Sequence, residues 1–317
     1  MAENKSSPIR GEQALIQRIK QVLARQYGPQ NPADCVPFGD DMAVLSARHP
    51  NWLWTTDMLM DGVDFDSRQH AWRQIGRKAL AVNLSDCAAM GCTPVSALCA
   101  VALNNLMSMD AAVELLEGVV EQGAVFECPV IGGDTNSWDA PLVISITVAG
   151  EARDGPPVRR DAAQPGDRIF VSGRLGGSIL GRHLSPTPRI ALGRTLCREP
   201  RAHAMIDISD GLALDLWRIC EASGYGAMLD ETGLLAAVHE DARRLERQDG
   251  VPALRHALHD GEDFELIVVL PADVAEVTTT ALGLTEVGGI TALRELSLRH
   301  GDGRISTIEP RGWEHFR

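Results

Sequence analysis

Six short segments place carboxylates beside glycine, serine or threonine, next to apolar runs. They are Gly39-Asp40-Asp41, Thr55-Thr56-Asp57, Asn83-Leu84-Ser85-Asp86, Gly132-Gly133-Asp134, Asp207-Ile208-Ser209-Asp210-Gly211 and Gly261-Glu262-Asp263. Carboxylate and hydroxyl oxygens are hard donors that suit Mg²⁺, and small neighbours let a ligand approach the backbone closely. Each segment also has an ordinary reading. Asp210-Gly211 before a helix reads first as a cap, Asp40-Asp41 as a turn, and Thr56 and Ser209 as capping or solvated hydroxyls. Asp86 differs, because it ends a helical pattern where the helix dipole disfavours negative charge; it needs a reason, such as a cation. Spacing alone leaves the metal and structural readings both open.

The elements that must position these residues can be read from periodicity. Leu15, Ile16, Ile19, Val22 and Leu23 mark one face of a helix over residues 11–25. Residues 71–90 carry Trp72, Ile75, Ala79 and Val82 without proline, which predicts a second helix, and 111–122 a third. Strands are predicted at 42–45, 52–54, 95–103 and 142–148, with a short buried one at 130–131. The polar, Gly/Pro-rich stretch EARDGPPVRRDAAQPGD, residues 151–167, marks a domain boundary. Beyond it come strands at 168–171 and 264–270 and helices at 212–222 and 272–282. Strands mixed with helices in both halves give an α/β or α+β class.

The chain has 317 residues with 44% apolar and 23% charged, enough for two domains and too apolar for disorder. The 43 acidic residues outnumber 30 basic ones, giving a net charge of -13 that repels a nucleic-acid backbone. No apolar run approaches the ~20 residues that span a bilayer, so no membrane partner is expected. The opening MAENKSSPIRGEQ has no apolar core for export, and seven cysteines without a C-x-x-C pair suit a reduced compartment. The expected location is the cytoplasm. Neither G-x-G-x-x-G nor a Walker-type loop is present, and Lys5, Lys20 and Lys78 are the only lysines.

Taken in order from near residue 38 to the C-terminus, the segments FGDDMAVL, TTDMLMDGVDF, GRKALAVNLSDCAAMG, VIGGDT, RRDAAQPGDRIFVSG, PTPRI, MIDISDGLALDL, DGEDFEL and RGWEHF resemble the thiamine-monophosphate kinase family. That family shares a superfamily with aminoimidazole-ribonucleotide synthetase and selenophosphate synthetase. The resemblance implies a two-domain α/β (α+β) fold like the aminoimidazole-ribonucleotide synthetase. Residues 1–150 would form an ATP- and Mg²⁺-binding domain whose mixed sheet pairs in a homodimer, and residues 151–317 a C-terminal α/β sandwich. It implies ATP-dependent phosphorylation of thiamine monophosphate to thiamine diphosphate with several Mg²⁺ ions. Carried over position by position, the Mg²⁺ ligands fall on Asp41, Thr56, Asp57, Asp86, Asp134, Asp207 and Asp210, with Thr55 beside them. Gly133, Asp134, Arg160 and Ser209 match nucleotide-contacting positions, and Phe126 stands where a family tyrosine usually lies. Glu262 and Trp313 match positions that touch thiamine phosphate, as does Asp64, where family members usually carry histidine.

Elementary electrostatics agrees with that assignment. Two carboxylates ~4 Å apart repel by ~4 kcal/mol at an effective dielectric near 20. Several converging with ATP and a phosphate acceptor require cations. The acceptor phosphate has a second pKa near ~6 and is already largely anionic at neutral pH. No general base and no covalent nucleophile are then expected, only alignment and charge compensation in a direct in-line transfer. Asn136-Ser137 stands where relatives often have Thr-Arg, and GRLGGSILGRHLSPTPRI is shorter than usual. With Asp64, these departures keep two alternatives open: a related ATP-using enzyme with another small phosphorylated acceptor, and a non-catalytic nucleotide-binding paralogue.

Overall fold

The computed structural model describes residues 40–45, 51–198 and 201–314. The helix expected over 11–25, Cys35 and the end of the RGWEHF segment lie outside the described residues. Strands β1 (Ala43–Leu45), β2 (Trp52–Met60), β3 (Thr93–Asn104), β4 (Val130–Trp138) and β5 (Val143–Glu151) form a sheet in the order β1-β2-β5-β3-β4. The β3–β4 pair is parallel and the others antiparallel. A parallel pair needs a crossover, and helix α2 (Met109–Val125) lies between β3 and β4 in the chain.

Helix α1 (Trp72–Ala89) packs on α2, β2 and β5 of this unit and on α3 (Ile190–Leu196) and β7 (Ala204–Asp207) of the other half. Thirteen of its 18 residues are buried, among them Lys78, Asn83 and Ser85, and alanines fill much of the contact surface. Two glycines allow the α1–α2 approach. A Cβ on Gly76 would lie 2.0 Å from the Leu115 carbonyl oxygen, and one on Gly118 2.2 Å from that of Arg73. Overpacking of this kind costs ~1–3 kcal/mol, so Gly118→Ala is expected to lower the thermal midpoint by several degrees. An unchanged melting curve would show that the two helices separate without cost.

The second sheet contains β6 (Arg168–Val171), β7, β8 (Gly226–Asp230), β9 (Leu266–Leu270), β10 (Thr285–Thr291), β11 (Leu296–Arg299) and β12 (Ile305–Thr307). Its order is β12-β11-β8-β10-β6-β9-β7. Successive side chains of a strand point to opposite faces, and β9 uses both. Leu266, Val268 and Leu270 join the core that contains α1, while Ile267 and Val269 join a second core under α4 (Leu212–Ser223), α5 (Glu231–Ala237) and α7 (Ala253–His259). Helices α6 (Glu240–Asp249) and α8 (Glu276–Ala281) and two 3₁₀ turns, Ser178–Leu180 and Arg182–Leu184, complete the described elements.

Most predicted elements occur within a few residues of their expected limits. Two differ in kind. The strand at 130–131 was expected to be short and buried; β4 instead runs nine residues at the sheet edge, largely exposed, because its parallel partner β3 supplies hydrogen bonds on one side only. The helix expected over 272–282 shortens to Glu276–Ala281, since Pro271 opens a turn that holds Val274 through its carbonyl oxygen.

Candidate active site

Three of the sequence-predicted acids meet where the two halves face each other. Asp41 precedes β1, Asp86 sits in the last turn of α1, and Asp207 ends β7. One carboxylate oxygen from each lies within 4.8 Å of the other two. Asp86 and Asp207 line a cavity of 1140 Å³ whose walls also include Asp40, Asp57, Asp64, Arg160, Ser209, Asp210, Glu262 and Trp313, and Asp41 lies behind that wall beside them. Thr55 and Asp57 share one face of β2, as strand alternation requires. Thr55 Oγ1 donates to Asp86 Oδ2, and the Asp57 backbone N–H donates to Asn83 Oδ1 at 3.1 Å. Ser85 Oγ donates to Asp207 Oδ2 at 2.7 Å.

Charge accumulates here with little compensation. Burial, and next the charges of Asp57, Asp207 and Asp41, push the Asp86 carboxyl well above the usual range against the pull of Thr55. Burial and then Asp41 do the same to Asp207, which is 4% exposed. Burial followed by Asp41, Asp64 and Asp210 raises Asp57 to about 6. Asp41 is gripped by Arg160, whose Nη2 and Nε donate to it at 2.6 and 3.2 Å. Three crowded carboxylates and a hydroxyl form a hard-oxygen donor set that fits Mg²⁺.

The loops behind the cluster are held firmly. Glu262 (φ 53°) and Phe264 (φ 51°) occupy left-handed backbone, which is rare for a bulky residue such as Phe. Their N–H groups donate to the Ser209 and Ile208 carbonyl oxygens at 2.7 and 2.9 Å. Asp263 accepts from the Gly176 N–H and from Arg182, which fixes the same loop from the other side. Gly211, not Asp210, is the N-cap of α4. The Asp215 carboxylate reaches back to the Asp210 and Gly211 N–H groups at 3.0 Å each. Asp210 instead accepts from Arg218 at 2.5 Å, and its carbonyl oxygen accepts from the Trp313 N–H at 2.9 Å.

Not every predicted residue joins this cavity. Thr56 points to the opposite face of the sheet from Thr55, with its Oγ1 donating to the Ile146 carbonyl oxygen at 3.1 Å. Asp134, paired with Ala100 on the same open face, is exposed and accepts from the next N–H of β4. Gly133 lies on that edge strand too, where a Cβ would fall 1.8 Å from the Cys99 carbonyl oxygen. Phe126 follows α2 and packs half-buried against the first core. The Asp64 carboxylate accepts the Met60 N–H at 2.7 Å, closing its own turn at the cavity wall.

Residues 39–152 match the family described as AIR synthase related protein, N-terminal domain. A thiamine-monophosphate kinase of Rhodopirellula baltica is 40% identical over 297 residues, which cover 90% of this chain and 93% of that protein. The chain belongs to the thiamine-monophosphate kinase family. The thiamine-monophosphate kinase of Bacillus subtilis is 31% identical over 312 residues, covering 89% of this chain and 94% of its own. A solved structure described as AaThiL complexed with AMPPCP and TMP has a TM-score of 0.83 at 29% identity, covering 98% of this chain and 100% of that one.

In this member of the thiamine-monophosphate kinase family, Lys78 and Arg218 line the cavity and Asp215 orients a group that does, yet the sequence reading assigned none of them to the site. Asp40, Asn83 and Ser85 stood in its acidic segments without a role; Asp40 lines the cavity, and Asn83 and Ser85 hydrogen-bond Asp57 and Asp207. Helical spacing held part of the signal: Lys78, Val82 and Asp86 recur every four residues and share one face of α1. Arg218 stands three residues after Asp215, the spacing of a helical ion pair.

Proposed function

We propose that the protein transfers the terminal phosphoryl group of ATP to thiamine monophosphate, giving thiamine diphosphate, and that it does so with Mg²⁺. The observation that carries this reading is the convergence of Asp41, Asp86 and Asp207 on one another at a cavity that Asp86 and Asp207 line, in a chain of this family. Asp41, Asp86 and Asp207, with Thr55 and Asp57 behind them, would hold Mg²⁺; Asp210 stands at the same wall. The metal, when bound, supplies positive charge to compensate charge spread over the transferring phosphoryl. Arg160 would offer a planar, permanently charged fork to nucleotide phosphates, exchanging part of its hold on Asp41. Trp313, 44% exposed at the cavity, would wall the acceptor's ring.

No side chain is required as a nucleophile. The acceptor oxygen is already mostly anionic, so the protein's task is alignment, exclusion of water and charge balance in a direct in-line displacement. Residues 1–150 would supply most of the metal and nucleotide contacts, and residues 151–317 would close the acceptor side.

The open face of the first sheet supports a homodimer. Trp54, Met58, Leu98 and Trp138 are all exposed on β2, β3 and β4, and large apolar side chains left open on one sheet face support an association site. Thr56 and Asp134 share that side, so a second copy there would bring the predicted ligands that miss the cavity beside a subunit boundary.

Purified protein with ATP, Mg²⁺ and thiamine monophosphate, followed by chromatography, tests the reading. Thiamine diphosphate is the expected product. Asp64 at the cavity wall favours one alternative, another small phosphorylated acceptor. Turnover of such a compound with none of thiamine monophosphate would establish that alternative, and ATP binding without any transfer would leave a non-catalytic paralogue.

A further inference from the structure

Lys78 has no part in the reading above, yet its environment is unusual. It lies within α1, and its side chain is 1% exposed. A lysine in a helix ordinarily extends its ammonium into water. Here Nζ donates to Glu262 Oε1 and to the Asp64 carbonyl oxygen, each at 2.5 Å. Glu262 is on the cavity side of the pair, 31% exposed, and its Oε2 has no partner among the described residues. Burying an ammonium costs several kcal/mol unless it is paired and hydrogen-bonded, and both conditions are met. The pair joins segments distant in sequence: α1, the turn after β2 and the left-handed loop that carries Glu262. All three border the cavity beside Trp313.

We propose that Lys78 is a positioning residue for the phosphoryl acceptor. It holds Glu262 by one carboxylate oxygen, leaves the other to an acceptor that carries an exocyclic amino N–H donor on one heterocycle and a fixed positive charge on another, and fixes the Asp64 turn as the opposite wall. A free Glu262 could rotate away or pair with another cation. Held from behind by a buried ammonium, it keeps one orientation, and the loop strain is supported from the helix. The inference rests on the acceptor reading of the preceding subsection and adds the residue that sets acceptor affinity.

A kinetic cycle of Lys78→Met, Glu262→Gln and the double variant tests it, with KM measured separately for thiamine monophosphate and ATP. Lost ground-state binding raises KM with little change in kcat. Lys78→Met is therefore expected to raise KM for thiamine monophosphate about 10- to 100-fold, with KM for ATP within about twofold. The double variant should be no worse than the poorer single one, because both substitutions remove the same interaction. Lys78→Arg, which keeps the charge, should recover part of the loss and serves in the same cycle if the methionine variant does not fold. Multiplicative losses in the double variant, or equal rises in KM for both substrates, would overturn the role of Lys78 while leaving the kinase reading intact. Absence of thiamine diphosphate from the wild-type reaction would overturn that reading and this role together.

Discussion

Asp207→Asn is expected to cut turnover by at least about 10²-fold, since even groups that merely orient a metal's ligands cost 10- to 100-fold when changed. Asparagine keeps the shape of the side chain and an oxygen that can accept from Ser85, whose Oγ lies 2.7 Å from Asp207 Oδ2. What it loses is charge. Asp207 is one of three acids whose oxygens lie within 4.8 Å of one another, and burial sets its carboxyl well above the ordinary range. Removing one member of a crowded buried group relieves repulsion. The metal-free variant should therefore melt at or above the wild-type temperature while its activity collapses. Loss of activity together with loss of fold would assign Asp207 a structural role. Near-normal turnover would remove it from the metal site.

Metal-free protein should lose stability as pH rises from about 4 to 7, and Mg²⁺ should return part of it. The sign follows from the direction of the shifts. Burial raises Asp57 from 3.8 to about 6, and Asp215 and Asp263 to about 7. A group that binds its proton more tightly when folded favours the folded state fully below the unfolded pKa. That advantage is lost as pH climbs through the folded value. For Asp57 alone the change is about 3 kcal/mol across that window. Mg²⁺ competes with protons for the same oxygens, so its stabilisation should grow with pH. Asp215 and Asp263 pair with Arg218 and Arg182 instead and should not respond to the metal. Melting curves from pH 5 to 8, in EDTA and in Mg²⁺, check this. A Mg²⁺-induced rise that is no larger at pH 8 than at pH 5 would contradict it.

What could be read from the chain and what could not divide along physical lines. The helix over 71–90 was legible from the recurrence of Trp72, Ile75, Ala79 and Val82 without proline, and the strand FELIVVL because burial on both faces of β9 makes its residues continuously apolar. The Asp86 anomaly was legible because helix electrostatics are local. Thr55 and Thr56 could not be ranked without knowing which face of β2 turns inward, and a one-residue difference reverses the assignment. Thr56 and Asp134 depend on what covers the open sheet face, a question of assembly rather than of pattern. Lys78 was missed because a lone lysine in a helix reads as solvated. Only its partner Glu262, 184 positions away, shows otherwise. The acidic residues were found as a set and Arg160 with them, whereas Lys78 and Arg218 were not, because a pairing such as Arg218 with Asp210 exists only in three dimensions.

Anomalous diffraction from crystals grown with Mn²⁺ and a non-hydrolysable ATP analogue would locate divalent ions directly. A peak bounded by the carboxylates of Asp41, Asp86 and Asp207 is the predicted result. A fully occupied nucleotide with no metal density among those three side chains would contradict it.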